Sequence, residues 1–133
     1  VREVEEAVQQ ASKKSHFLYN AADFPSLGNC SLPAAFDAGG IQITVSTNGR
    51  SPAMARYMKE WLSLKIPEGF GQWLDRVGKM RVEMKERIST SEAREAFWRA
   101  VFTEDIMHLV MQGKLDEAEE CVRHAVGRFG AES

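Results

Sequence analysis

The chain has 133 residues, of which 44% are hydrophobic and 27% charged, the balance of a folded globular protein rather than a disordered one. That length suits one domain, or a small domain with a piece of another. A net charge of −2 argues against nucleic-acid binding as the main task, and no apolar run approaches the roughly 20 residues that span a bilayer.

The first predicted element is a helix. Val1, Val4, Ala7, Val8 and Ala11 recur at helical spacing, and Lys13 and Lys14 follow where cations suit a helix C-terminus. Phe17-Leu18-Tyr19 then reads as a short buried strand. No capping residue precedes Val1, and the G-x-G-x-x-G turn that holds a dinucleotide pyrophosphate occurs nowhere. The chain is therefore expected to open part-way through an α/β unit, as a piece of a longer protein.

Asn20-Ala21-Ala22-Asp23 falls at the end of that strand, where ligand groups gather in open α/β sheets. A carboxylate placed there can act as a general base. Asp23 can equally start a turn ahead of Phe24-Pro25. After a loop over Pro25–Asn29, residues 30–36 read as a strand that Pro33 confines to an edge or a bulge. Asp37-Ala38-Gly39-Gly40 is turn chemistry, and Ile41, Ile43 and Val45 alternate with Gln42 and Thr44. Residues 30–36 and 41–47 are thus expected to pair as a hairpin. Cys30 and Phe36 are read as packing residues. An edge strand without protective charges favours a covering partner.

Ser46-Thr47-Asn48-Gly49-Arg50-Ser51-Pro52 joins the second strand to a helix. Asn48-Gly49 tolerates positive φ, Ser51 suits an N-cap and Pro52 suits the first helical position. Backbone N–H groups, hydroxyls and the Arg50 guanidinium would converge there on an anion. An ordinary capped connection is the plainer alternative.

The remainder reads as five helices in a compact bundle. Met54, Tyr57, Met58, Trp61 and Leu62 form one stripe, ended by Pro67, and Phe70, Trp73, Leu74, Val77, Met84 and Ile88 form the next. Ser89 and Glu92 could make a capping box for a third helix carrying Phe97, Trp98, Val101 and Phe102. Thr103 opens a fourth with Ile106, Leu109 and Val110, stopped by Gly113, and the last bears Ala118, Val122, Ala125 and Val126. The six methionines and three tryptophans are read as core filling. His16, His108 and His124 lack metal-ligand spacing, and Cys30 and Cys121 form no C-x-x-C pair, so no metal site is expected and the thiols suit a cytoplasmic protein.

In order, N-x-x-D at 20–23, Leu32-Pro33-Ala34, the strand from Ile41, S-T-N-G-R-S-P at 46–52 and Ala55-Arg56 resemble the consecutive blocks of the precorrin-2 dehydrogenase (siroheme synthase) family. Thr47 and Asn48 stand where its members often carry serine and glycine. The resemblance implies an α+β, mainly α chain. Residues 1–23 would end a nucleotide-binding domain, 24–51 form a dimerisation β segment with the substrate loop, and 52–133 form a helical domain. It implies oxidation of precorrin-2 to sirohydrochlorin with NAD bound elsewhere in the protein, with ferrous iron a substrate in members that also make siroheme. Asp23 would be catalytic. Asn20, Ser46, Thr47, Asn48, Gly49, Arg50, Ser51 and Arg56 would hold the tetrapyrrole. The protein would be a cytoplasmic homodimer without nucleic-acid or membrane partners. As it stands, the chain could also serve only as a dimerisation and substrate-lid module.

Overall fold

The computed structural model describes residues 1–129; the expected helical domain runs on to 133, and residues 130–133 lie outside the described ones. Among the described residues, six α-helices and one antiparallel hairpin make the fold α+β and mainly α. The described residues divide into two compact units, residues 1–36 with 42–63, and residues 37–41 with 64–129.

The first unit opens with helix α1 (Arg2–Ser15). It ends where His16 turns left-handed, at φ 55°, and donates its backbone N–H to Ser12 O at 2.8 Å. Most of its apolar stripe is exposed, Val1 at 80% and Val4 at 66%, with Val8 half-buried, and the residue it buries is Ser12. The expected strand at 17–19 does not form, and Leu18 is 79% exposed. Pairing there is made chiefly by the side chain of Asn29 instead of a neighbouring strand. Asn29 Oδ1 accepts from Tyr19 N at 2.7 Å, and Asn29 Nδ2 donates to Phe17 O at 3.0 Å. The backbone N–H of Asn29 adds a bond to Tyr19 O at 2.9 Å. A short 3-10 turn, Pro25–Leu27, packs against α1.

The hairpin pairs β1 (Ala34–Ala38) with β2 (Ile41–Val45). The first strand starts later than expected, because residues 30–33, with Pro33 among them, stay outside the ladder. Gly39 and Gly40 form the two-residue turn at φ 55° and 85°, the pair of positive values that matches strand twist. Ile41, Ile43 and Val45 share the half-buried face, as their alternation requires. Helix α2 (Pro52–Ser63) follows and buries Ala55, while Met54, Tyr57 and Trp61 of its expected stripe are exposed.

The second unit is helical: α3 (Phe70–Arg87), α4 (Ser91–Val101), α5 (Glu104–Met111) and α6 (Leu115–Phe129). Phe70, Trp73, Met80, Met84, Phe97, Val101, Ile106, Val110, Leu115, Ala118, Val122 and Val126 make its core. Met80 and Met84 are the core-filling methionines; Met107 and Met111 are exposed, and Trp98 is half-buried. The cap of α4 is Thr90, not Ser89, its hydroxyl accepting from Ala93 N at 3.2 Å. Thr103 caps α5, and Gly113 at φ 75° ends it. Gly113 N reaches Val110 O and Lys114 N reaches Leu109 O, the paired bonds of a Schellman stop. The hairpin tip rests on the start of α3, where Gly71 lies against the Gly39 carbonyl. No helix among the described residues is long and apolar enough to cross a membrane.

Candidate functional site

Within the first unit, a hollow of about 420 Å³ gathers residues from separate stretches. Asn20, Ala21 and Ala22 form one wall, Cys30 to Ala34 another, and Val45 to Thr47 with Gly49 a third. Arg56 and Lys59 project from α2 into the same space. Its wall at 20–22 is positioned by Gly28 as well as by Asn29. A Cβ on Gly28 would stand 2.9 Å from Ala21 N and 3.0 Å from Tyr19 O, so only glycine lets the two segments close up. Partial burial, and secondly the Glu5 carboxylate, raise the pKa of the Tyr19 hydroxyl just before this wall.

The loop at 46–51 is a turn locked by its own groups. Asn48 (φ 54°) and Gly49 (φ 75°) are its central residues, and Arg50 N donates to Thr47 O at 3.2 Å. The Thr47 hydroxyl donates to Ser51 O at 3.1 Å and accepts from Ser51 N at 3.0 Å. Ser46 Oγ accepts from Asn48 N at 3.2 Å, and Arg50 Nε donates to Thr47 O at 3.0 Å. Ser51 Oγ accepts from Met54 N at 3.1 Å, the N-cap expected of it. Pro52 has no N–H to offer, so the helix start has fewer open donors than its composition suggests.

Of the residues singled out from the sequence, Asn20, Ser46, Thr47, Gly49 and Arg56 come together around the hollow. Asn48, Arg50 and Ser51 shape the loop but do not line that space. Asp23 sits exposed at a bend, one residue beyond Ala22 of the wall. Lys59 was not singled out. Its signal was available, since it lies three residues after Arg56 and so on the same helix face. The hollow thus carries two cations, an amide and the three hydroxyls of Ser31, Ser46 and Thr47, a set suited to carboxylates. No group of three or more His, Cys, Asp or Glu side chains placed to hold a metal occurs among the described residues.

Residues 39–62, which hold β2, the loop and most of α2, match the family described as "Sirohaem biosynthesis protein central". Residues 69–126 match the "Sirohaem synthase dimerisation region". The chain is 35% identical over 104 residues to a siroheme synthase of Psychrobacter sp., which covers 78% of this chain and 21% of that protein. It is 32% identical over 112 residues to the siroheme synthase of Thiobacillus denitrificans, covering 84% and 23%. For that of Hydrogenovibrio crunogenus the figures are 37% over 100 residues, covering 75% and 21%. The chain thus spans about a fifth of the length of the curated relatives it matches. The matched regions run in the order of the fold, from hairpin through loop to helices, and the chain belongs to the siroheme synthase family.

Proposed function

We propose that this chain is the substrate-holding and dimerising part of an enzyme that oxidises precorrin-2 to sirohydrochlorin in siroheme biosynthesis. The observation that carries the reading is the convergence of Asn20, Ser46, Thr47, Arg56 and Lys59 on one hollow. A tetrapyrrole bearing many carboxylates would be held there by charge-assisted hydrogen bonds. Asn48, Arg50 and Ser51 would act one step back, fixing the loop that presents Ser46 and Thr47.

Oxidation removes a hydride and a proton from the macrocycle, and Asp23 is proposed to accept the proton on its carboxylate. NAD, the hydride acceptor that the resemblance implies, does not fit the residues present. Among the described residues the one strand running directly into a helix is β2, and the turn after it holds a single glycine whose neighbours bond to one another. A pyrophosphate needs a glycine-rich turn with free N–H groups. The share of this chain is therefore to bind, orient and deprotonate. Where ferrous iron is also inserted, it is substrate, and the same carboxylate would receive the displaced pyrrole protons.

The test is steady-state oxidation of precorrin-2 by the full-length protein. Asp23→Asn should lower kcat by about 10²–10⁴-fold with an unchanged circular dichroism spectrum. Arg56→Gln should chiefly raise KM, because it removes binding and not proton transfer. Near-native turnover of Asp23→Asn would leave Asp23 a turn residue. That outcome favours a second reading, supported by the internally bonded loop, in which the chain is a non-catalytic dimerisation and substrate-lid module.

The proposed assembly is a cytoplasmic homodimer. It would use the unpaired edges of the hairpin together with part of the helical region, residues 69–126, that matches the family's dimerisation region. Sedimentation equilibrium should show a dimer at micromolar concentration; a monomer there overturns this part of the proposal.

A further inference from the structure

The second unit carries a groove of about 650 Å³ between α3 and α4 that the proposed reaction does not use. Val77, Arg81 and Lys85 repeat every four residues along α3 and make one wall. The facing wall is Ser91, Arg94, Glu95, Trp98, Arg99 and Phe102 of α4 and its end. Four cations meet one carboxylate there, in a chain whose net charge is −2. The cations are held in different ways. Arg99 pairs with Glu95 at 2.7 Å. Arg94 donates to the carbonyls of Ile88 and Ser89 at 2.7 and 2.9 Å, which fixes its guanidinium without neutralising it. Arg81 and Lys85 are tied to no carboxylate among the described residues. At the same groove the rings of Trp98 and Phe102 stack, with centroids 5.2 Å apart and planes 21° from parallel. Trp98 also meets the buried Phe97 edge-on at 5.1 Å, so this aromatic surface is braced from the core.

We propose that the α3–α4 groove is a second binding site, for a flat aromatic molecule carrying several carboxylates. The stacked Trp98 and Phe102 offer a face for a planar ring system, and an apolar body would cover Val77. Arg81 and Lys85 on one side and Arg94 on the other then receive acidic groups at the molecule's rim. A fatty or peptidic occupant fits less well. The first would leave the cations uncompensated, and the second would not use the stacked pair. The site lies wholly within the second unit, and its residues are separate from those of the hollow at 20–59.

The probe is uroporphyrin, a planar tetrapyrrole with eight carboxylates, titrated into the chain while tryptophan fluorescence and heat are followed. Saturable binding is expected, weakened about tenfold or more in the double variant Arg81→Gln/Lys85→Gln. Trp98→Leu should weaken it similarly. Citrate, with carboxylates but no ring, should compete only weakly. Arg56→Gln, which alters the hollow alone, should weaken only the hollow's share of uroporphyrin binding and leave the groove's share intact. Failure of the functional proposal would therefore appear as unaffected precorrin-2 kinetics in Arg56→Gln, with groove binding still present. Absence of saturable binding overturns the groove proposal, as does binding that Arg56→Gln removes and the groove variants spare. A change of oligomeric state in the Arg81→Gln/Lys85→Gln variant would show instead that a second copy of the chain covers the groove, and would overturn it equally.

Discussion

Three glycines and one asparagine do much to shape what surrounds the hollow and the hairpin. Gly71 stands in the first turn of α3 with the Gly39 carbonyl where a Cβ would lie, and Gly39 is itself at φ 55°. Gly71→Ala must push the hairpin tip off the helix, since the obstructing atom is backbone and cannot rotate aside. We expect a loss of about 1–3 kcal/mol in thermal or urea unfolding. Gly40→Ala should cost less, because open space surrounds that position and only its φ of 85° is strained. Asn29 acts differently, as a clamp on a segment that has no strand neighbour. Asn29→Ala removes two bonds to the Phe17–Tyr19 backbone, each worth about 0.5–1.5 kcal/mol. Its signature should be faster amide exchange at Tyr19, with α3–α6 unchanged; equal exchange across the chain would show that the clamp carries nothing.

At the scale of elements, what could be read depended on whether neighbours in the sequence are also neighbours in space. Helices α3 to α6 were legible because their stripes face one another within a single unit, and the caps at Thr103 and Gly113 are local chemistry. The Gly-Gly hairpin and the Asn-Gly turn were legible for the same reason. The segment 17–19 was not: its apolar run suggested a strand, but a strand needs a neighbouring strand, and the partners present are the side chain of Asn29 and the backbone N–H groups of Asn29 and Cys30. The stripes of α1 and α2 were recognised, yet periodicity does not say what a face packs against, and Val4, Met54 and Tyr57 remain exposed. The cap of α4 was misplaced by one residue because Ser89 and Thr90 are both good caps; backbone φ and ψ at Thr90 decide it. Thr90→Ala should therefore cost about 1 kcal/mol, whereas Ser89→Ala should cost only a few tenths. Thermal melts of the two variants make the comparison directly.

For the molecule as a whole, the candidate hollow could be approached from the sequence as a set of residue types but not as a geometry. The polar groups at 46–51 suggested an anion cradle, but most bond to one another, and the cationic side of the hollow comes from Arg56 and Lys59. The charge network of the second unit could not be read at all, since its members lie some forty residues apart. Arg123 of α6 reaches Glu83 of α3 at 2.7 Å and Glu119 at 3.0 Å. Arg76 of α3 reaches Asp116 at 2.7 Å and Glu119 at 3.0 Å. Hydrogen bonding from Arg123 holds the Glu83 carboxyl below the ordinary carboxylate range, against a smaller opposing effect of desolvation. Bonds to their carboxylates raise both arginines further above neutrality, so neither loses its proton in any accessible range. The acid side therefore carries the pH dependence. A carboxyl with a depressed pKa stabilises the fold above its unfolded value of 4.5, and that stability is lost as pH falls through the lower folded value. Glu83→Gln should accordingly melt below the wild type at pH 7, with the gap closing as pH drops from about 5 to 3. The pair is solvent-exposed, so the gap at pH 7 should also shrink in about 1 M salt. A gap that persists unchanged at pH 3 would mean that Glu83 acts through packing and not through its charge.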